Sequence, residues 1–83
     1  MIKTLRCGKL CVRMDRSEVN ADDPGQGTPA MVESGEWSAT YDCALEEGEL
    51  SNTRGDTLRL TEAELAWLDA MLETIDNFLY VIA

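Results

Sequence analysis

Hydrophobic and polar residues alternate near the start of the chain: Leu10, Val12 and Met14 are interleaved with Lys9, Cys11 and Arg13. A period of two is the mark of a strand with one buried and one wet face. It predicts a single strand over residues 3–14, with Gly8 as a bulge or bend. From Asn20 to Pro29 the pattern gives way to turn formers, because proline locks φ and lacks an N–H while glycine supplies positive φ; this predicts a loop over residues 20–29. Ala30 opens a second strand over 30–33, which Ser34 and Gly35 turn. Trp37, Ala39, Tyr41, Cys43 and Leu45 then alternate with Ser38, Thr40, Asp42 and Ala44, the clearest period-2 run in the chain, and predict a strand over 36–45. Ser51 to Asp56 reads as a polar turn, and Leu58 and Leu60 mark a short last strand over 57–60.

The period then changes. Leu65, Leu68, Leu72, Ile75, Leu79 and Ile82 recur at alternating steps of three and four, with Trp67, Met71 and Phe78 as a second stripe beside them. That spacing predicts an amphipathic helix over residues 62–80 with a broad apolar face. Its start is marked by Thr61 and Glu64, a capping box in which the threonine oxygen accepts from a first-turn N–H and the glutamate reaches back to the threonine N–H. Leu60 and Leu65 stand where a hydrophobic staple closes. The predicted fold class is therefore α+β: a small antiparallel sheet of three or four strands packed against one C-terminal helix, as a single domain over residues 1–83.

At 83 residues the core is thin, which argues against a deep substrate cleft. Sixteen acids stand against seven bases with no histidine, for a net charge of −9, a sign that opposes direct binding to nucleic acid or to an anionic membrane. The bases are clustered: Lys3, Arg6, Lys9, Arg13 and Arg16 precede residue 17, and only Arg54 and Arg59 follow it. Two readings are open for this basic start, internal charge matching and a separate binding surface. No apolar run is long enough to span a membrane, and the first residues lack the pattern of a signal peptide, so a cytoplasmic location with reduced thiols is expected.

Cys7, Cys11 and Cys43 supply three thiols, but a structural zinc site uses four Cys or His ligands; ordinary buried thiols are the expectation, with Cys7 and Cys11 on one face of their strand and no metal or other cofactor. A cysteine nucleophile lacks its usual histidine base, and Gly25-Gln26-Gly27 lacks the residues that complete a phosphate loop. Arg54-Gly55-Asp56 reads as a glycine-centred turn. No catalytic residues are assigned, and the chain is expected not to be an enzyme.

Glu62, Asp69, Glu73 and Asp76 fall on one edge of the predicted helix, and no base follows Leu60. Residues four apart on a helix stand roughly 6 Å apart along its axis, a step comparable to that between phosphates of one nucleic-acid strand. Glu46, Glu47 and Glu49 can extend such a column. A carboxylate surface of this kind either keeps a domain soluble or is drawn to the basic surface of a nucleic-acid-binding protein, where it competes with nucleic acid instead of binding it. The helix seam is open to two readings as well. It packs on the sheet of its own chain, or Trp67, Met71 and Phe78 meet a second copy, as in a small homodimeric structural or assembly protein.

The layout resembles that of small acidic proteins encoded by bacteriophages. The shared features are a short strand, the loop Asp23-Pro24-Gly25…Thr28-Pro29-Ala30, further strands, and Leu60-Thr61-Glu62-Ala63-Glu64-Leu65 opening a terminal helix. Such proteins include anti-CRISPR and other anti-defence inhibitors, several of which resemble DNA in charge. The resemblance implies a non-enzymatic inhibitor that acts in the host cytoplasm on a basic nucleic-acid-handling host protein.

Overall fold

The computed structural model describes residues 1–18 and 29–80. The class is α+β, as expected, but among the described residues the antiparallel sheet has six strands, not three or four, and they lie side by side in chain order. These are β1 (Ile2–Cys7), β2 (Leu10–Asp15), β3 (Ala30–Ser34), β4 (Trp37–Thr40), β5 (Glu49–Ser51) and β6 (Thr57–Arg59). A 3-10 turn, Arg16–Glu18, follows β2; a short helix α1 (Tyr41–Glu47) stands between β4 and β5; and α2 (Glu62–Tyr80) is the last described element. Of the expected loop, residues 20–28 lie outside the described residues.

Three local differences account for the additional elements. The single strand expected over 3–14 is a hairpin: Cys7 pairs with Leu10 across Gly8 and Lys9. Gly8 has φ +60° and, among the described residues, no non-glycine residue has positive φ, which is the backbone of a II′ turn with glycine first, the turn whose twist matches the strands it joins. The strand expected over 36–45 stops at Thr40. Tyr41 and Leu45 are four residues apart, so a helix puts both on one side, and both join the core cluster; Ala44, Leu45, Glu46 and Glu47 also favour helix. Gly48, at φ +66°, then ends α1 in the left-handed conformation that terminates helices. The third difference is β5, a strand of three residues that the glutamate-rich stretch did not announce.

Register assigns the faces. Leu5 lies opposite Val12, and Val12 opposite Val32, which in turn lies opposite Ala39. On this face Leu10, Val12, Met14, Ala30 and Val32 meet Leu68, Ile75 and Leu79 of α2 in one buried cluster, with Tyr41, Leu50 and Leu60 at its side. Leu10, Val12, Met14, Val32, Leu50, Leu68 and Ile75 are essentially free of solvent, and no charged side chain is buried among the described residues. The other face carries Thr4, Arg6, Arg13, Glu33, Ser38, Thr40, Glu49, Ser51, Thr57 and Arg59. Cys7 and Cys11 therefore do not share a face as expected. The hairpin turn between them shifts the alternation, so Cys7 follows Leu5 on the core side while Cys11, opposite Arg6 and Glu33, is on the far side.

Helix α2 begins as its sequence requires. The Thr61 N–H donates to Glu64 Oε1 at 3.0 Å, and the Glu64 N–H donates to Thr61 Oγ1 at 3.1 Å, closing the capping box. Glu62 and Glu64 place negative charge on the positive end of the helix dipole. Thr61→Ala should cost about 1 kcal/mol in urea unfolding, whereas Thr61→Ser, which keeps the acceptor oxygen, should fall within a few tenths of wild type; equal losses from the two would show that the threonine methyl, not the cap, is what matters.

Candidate functional site

The seven carboxylates singled out by sequence divide into three groups. Glu62, Asp69, Glu73 and Asp76 are all exposed on α2. At 100° per residue they fall within an arc of about 60°, with axial steps of about 10, 6 and 4.5 Å. The buried residues Leu68, Ile75 and Leu79 define the side of α2 that faces the sheet, and Leu65, on the flank next to the acidic stripe, reaches Gly48, to which an added Cβ would stand 3.5 Å from its Cδ1. The stripe thus runs along the α1 side of α2. The second group, Glu46 and Glu47, is exposed at the end of α1, adjoining that flank. Gly48 ties the two together, since its carbonyl accepts the Leu60 N–H at 2.8 Å just before α2 starts. Glu49 is the exception: as the cross-strand partner of Arg59 it belongs to the sheet face away from α2.

Three of the five amino-terminal basic residues, Lys3, Arg13 and Arg16, have contacts within the chain. Lys3 Nζ lies 5.6 Å and Arg16 Cζ 5.9 Å from the centre of the Phe78 ring, so two cations of the first segment flank one aromatic ring of α2. Phe78 stands about 140–180° around the helix from Asp69, Glu73 and Asp76. These cations therefore approach α2 from the side opposite its carboxylates. Arg13 pairs with Glu33 at 3.9 Å, and Arg54 with Glu36 and Asp56 at 3.5 Å each. The amino terminus approaches Asp15 at 3.7 Å. The Ser17 hydroxyl and N–H donate to Asp15 Oδ1 at 2.6 and 2.9 Å, and these bonds, the hydroxyl first, lower its pKa below the ordinary 3.8. Among the described residues, Glu46, Glu47, Glu62, Asp69, Glu73 and Asp76 make no ion pair. Surface pairs such as Arg59–Glu49, at 3.8 Å, are weak in any case.

The residues of the possible dimer face lie beside the core. Trp67, Met71 and Phe78 are half-buried and pack against the core cluster, and Phe78 also carries its two cations. The large apolar side chains left exposed among the described residues are Met1, Ile2, Leu58 and Leu72.

A groove escapes any reading of the sequence. β4 and β5 share a single ladder pair, Ser38 with Ser51, because α1 intervenes and the strands part beyond that pair. The resulting fork holds a groove of about 270 Å3 lined by Ala39, Thr40, Glu47, Glu49, Leu50, Ser51 and Thr57. Ala39 and Leu50 come from the core side of the pleat, Thr40, Glu49, Ser51 and Thr57 from the far side. The sequence signal for it was faint: one hydroxyl residue in each of three short strands, Thr40, Ser51 and Thr57, beside a glutamate pair split by glycine. Comparison with protein-family models, with curated proteins and with solved structures found no match in any of the three.

Proposed function

We propose that the protein is a non-enzymatic inhibitor, of the phage anti-defence kind, that occupies a basic nucleic-acid-binding surface of a host protein in the host cytoplasm. The observation that carries this reading is the stripe of Glu62, Asp69, Glu73 and Asp76, exposed on α2 and free of ion pairs among the described residues. Charges solvated this way contribute little to folding, yet their summed field is available to steer a cationic partner and to hold off nucleic acid of the same sign. Glu46 and Glu47 extend the field beside the start of α2. The aromatic stripe that would serve a homodimer is packed against the chain's own core, so the inhibitor reading is favoured over an assembly role. No described helix is long and apolar enough to cross a membrane.

The test is displacement of labelled duplex DNA from host CRISPR effector complexes and nucleases by the wild-type chain and by the triple variant Asp69→Lys, Glu73→Lys, Asp76→Lys. The substitutions change the net charge from −9 to −3 on a surface that packs against nothing, so the fold should survive. Displacement from the true target should weaken about ten- to thirtyfold in the variant, chiefly through slower association, and the difference should shrink as salt rises. Equal potency of the two proteins at low salt, or displacement by neither from any such complex, would overturn the reading.

A further inference from the structure

We infer that the groove at the β4–β5 fork is the seat for one arginine side chain of the cationic partner. This rests on the reading above and names the group that reads the surface at one point. Small-molecule sites usually measure about 300–1,000 Å3; a groove of about 270 Å3 is below that range and suits a single side chain. Its chemistry is divided in the way an arginine is. Leu50 and Ala39 offer apolar surface for a methylene stem, the hydroxyls of Thr40, Ser51 and Thr57 offer acceptors, and Glu47 and Glu49 supply carboxylates from either side of Gly48. A guanidinium is planar, weakly hydrated and carries five N–H donors, so it uses several acceptors at once where an ammonium acts as a compact, strongly hydrated charge.

The chain already places a guanidinium beside one of the lining carboxylates. Arg59 Nη1 stands 3.8 Å from Glu49 Oε1, with the arginine side chain 77% exposed and the glutamate 40%. Arg59 is thus an internal competitor held by a weak exposed pair, and an arginine arriving from outside takes Glu49 from it while burying its stem in the fork. A distinctive sign follows: removing Arg59 should strengthen binding at the groove, and removing Arg54 should not. Arg54 carries the same charge but pairs with Glu36 and Asp56 at the turn between β5 and β6.

The experiment is a low-salt titration of the isotopically labelled full chain with N-acetyl-arginine-methylamide, followed by amide chemical shifts, with the citrulline and lysine analogues alongside. Saturable shifts should centre on residues 39–40, 47–51 and 57, with millimolar affinity. The citrulline analogue, isosteric but uncharged, should not saturate. Arg59→Gln should tighten binding about threefold and Glu49→Gln weaken it about threefold, while Arg54→Gln leaves it unchanged. Equal shifts with citrulline, equal effects of Arg59→Gln and Arg54→Gln, shifts spread along α2, or no saturation would each overturn the assignment. Because the titration uses no host protein, a failed groove beside an intact effect of the α2 reversals removes the arginine seat alone; a saturable groove with no effect of those reversals removes the inhibitor reading alone.

Discussion

Leu68→Ala will lower the stability of the domain by about 2–5 kcal/mol. Leu68 is wholly buried in the cluster that joins α2 to β2 and β3, and alanine leaves a cavity that a thin core has few neighbours to fill. A domain of 83 residues has roughly 4–12 kcal/mol of stability in all. At about 4–8 °C per kcal/mol for this size, the melting temperature should fall by at least about 8 °C. Leu72→Ala is the matched comparison: the same atoms are removed from the same helix four residues on, at a side chain 38% exposed. It should cost about 1 kcal/mol or less. Equal losses at the two positions, measured by urea and thermal unfolding, would mean that α2 does not face the sheet with its Leu68–Ile75–Leu79 side.

Gly48→Val should cost about 2–3 kcal/mol, from two separable sources. With φ at +66°, any L side chain here sits in the left-handed region at a cost of about 1–2 kcal/mol, and a β-branched one fares worst. The remainder comes from crowding. A Cβ would lie at ordinary contact distance from Leu65, 3.5 and 3.6 Å from its two methyls, so alanine fits and the further methyls of valine do not. Gly48→Ala should therefore lose only the backbone part, about 1 kcal/mol. The sign is the test: at a glycine with ordinary negative φ, alanine would stabilise by restricting the unfolded chain. A stabilised Gly48→Ala would contradict the left-handed end of α1. Amide exchange at Leu60, whose N–H donates to the Gly48 carbonyl, should accelerate in the valine variant.

These two positions also show where sequence was a good guide and where it was not. The start of helix α2 was legible because its signals are local. Thr61 and Glu64 sit three residues apart and close the cap unaided, and the leucine spacing needs only the helix itself to form a face. The hairpin at Gly8 was half legible. Leu5 and Cys7 are odd-numbered and Leu10, Val12 and Met14 even-numbered, and that change of phase across a glycine is a two-residue turn, not a bulge. The run from Trp37 to Leu45 misled for a related reason: Tyr41 and Leu45 satisfy a period of two and a step of four alike, and only the core decides between them.

The candidate surface follows the same division. That Glu62, Asp69, Glu73 and Asp76 share one edge is a consequence of helical spacing. That Lys3 and Arg16 close on Phe78 across the helix from them, that Glu49 turns to the other face beside Arg59, and that β4 and β5 part into a groove are consequences of which strands become neighbours. Class, charge and the start of α2 were thus written in residues close together along the chain, where each interaction is selected by spacing alone. Strand number, the fate of residues 41–47, the faces of Cys7 and Cys11 and the counter-ions of the carboxylates were settled only on assembly, because each depends on burial against partners distant in the chain, and a short segment does not carry that information.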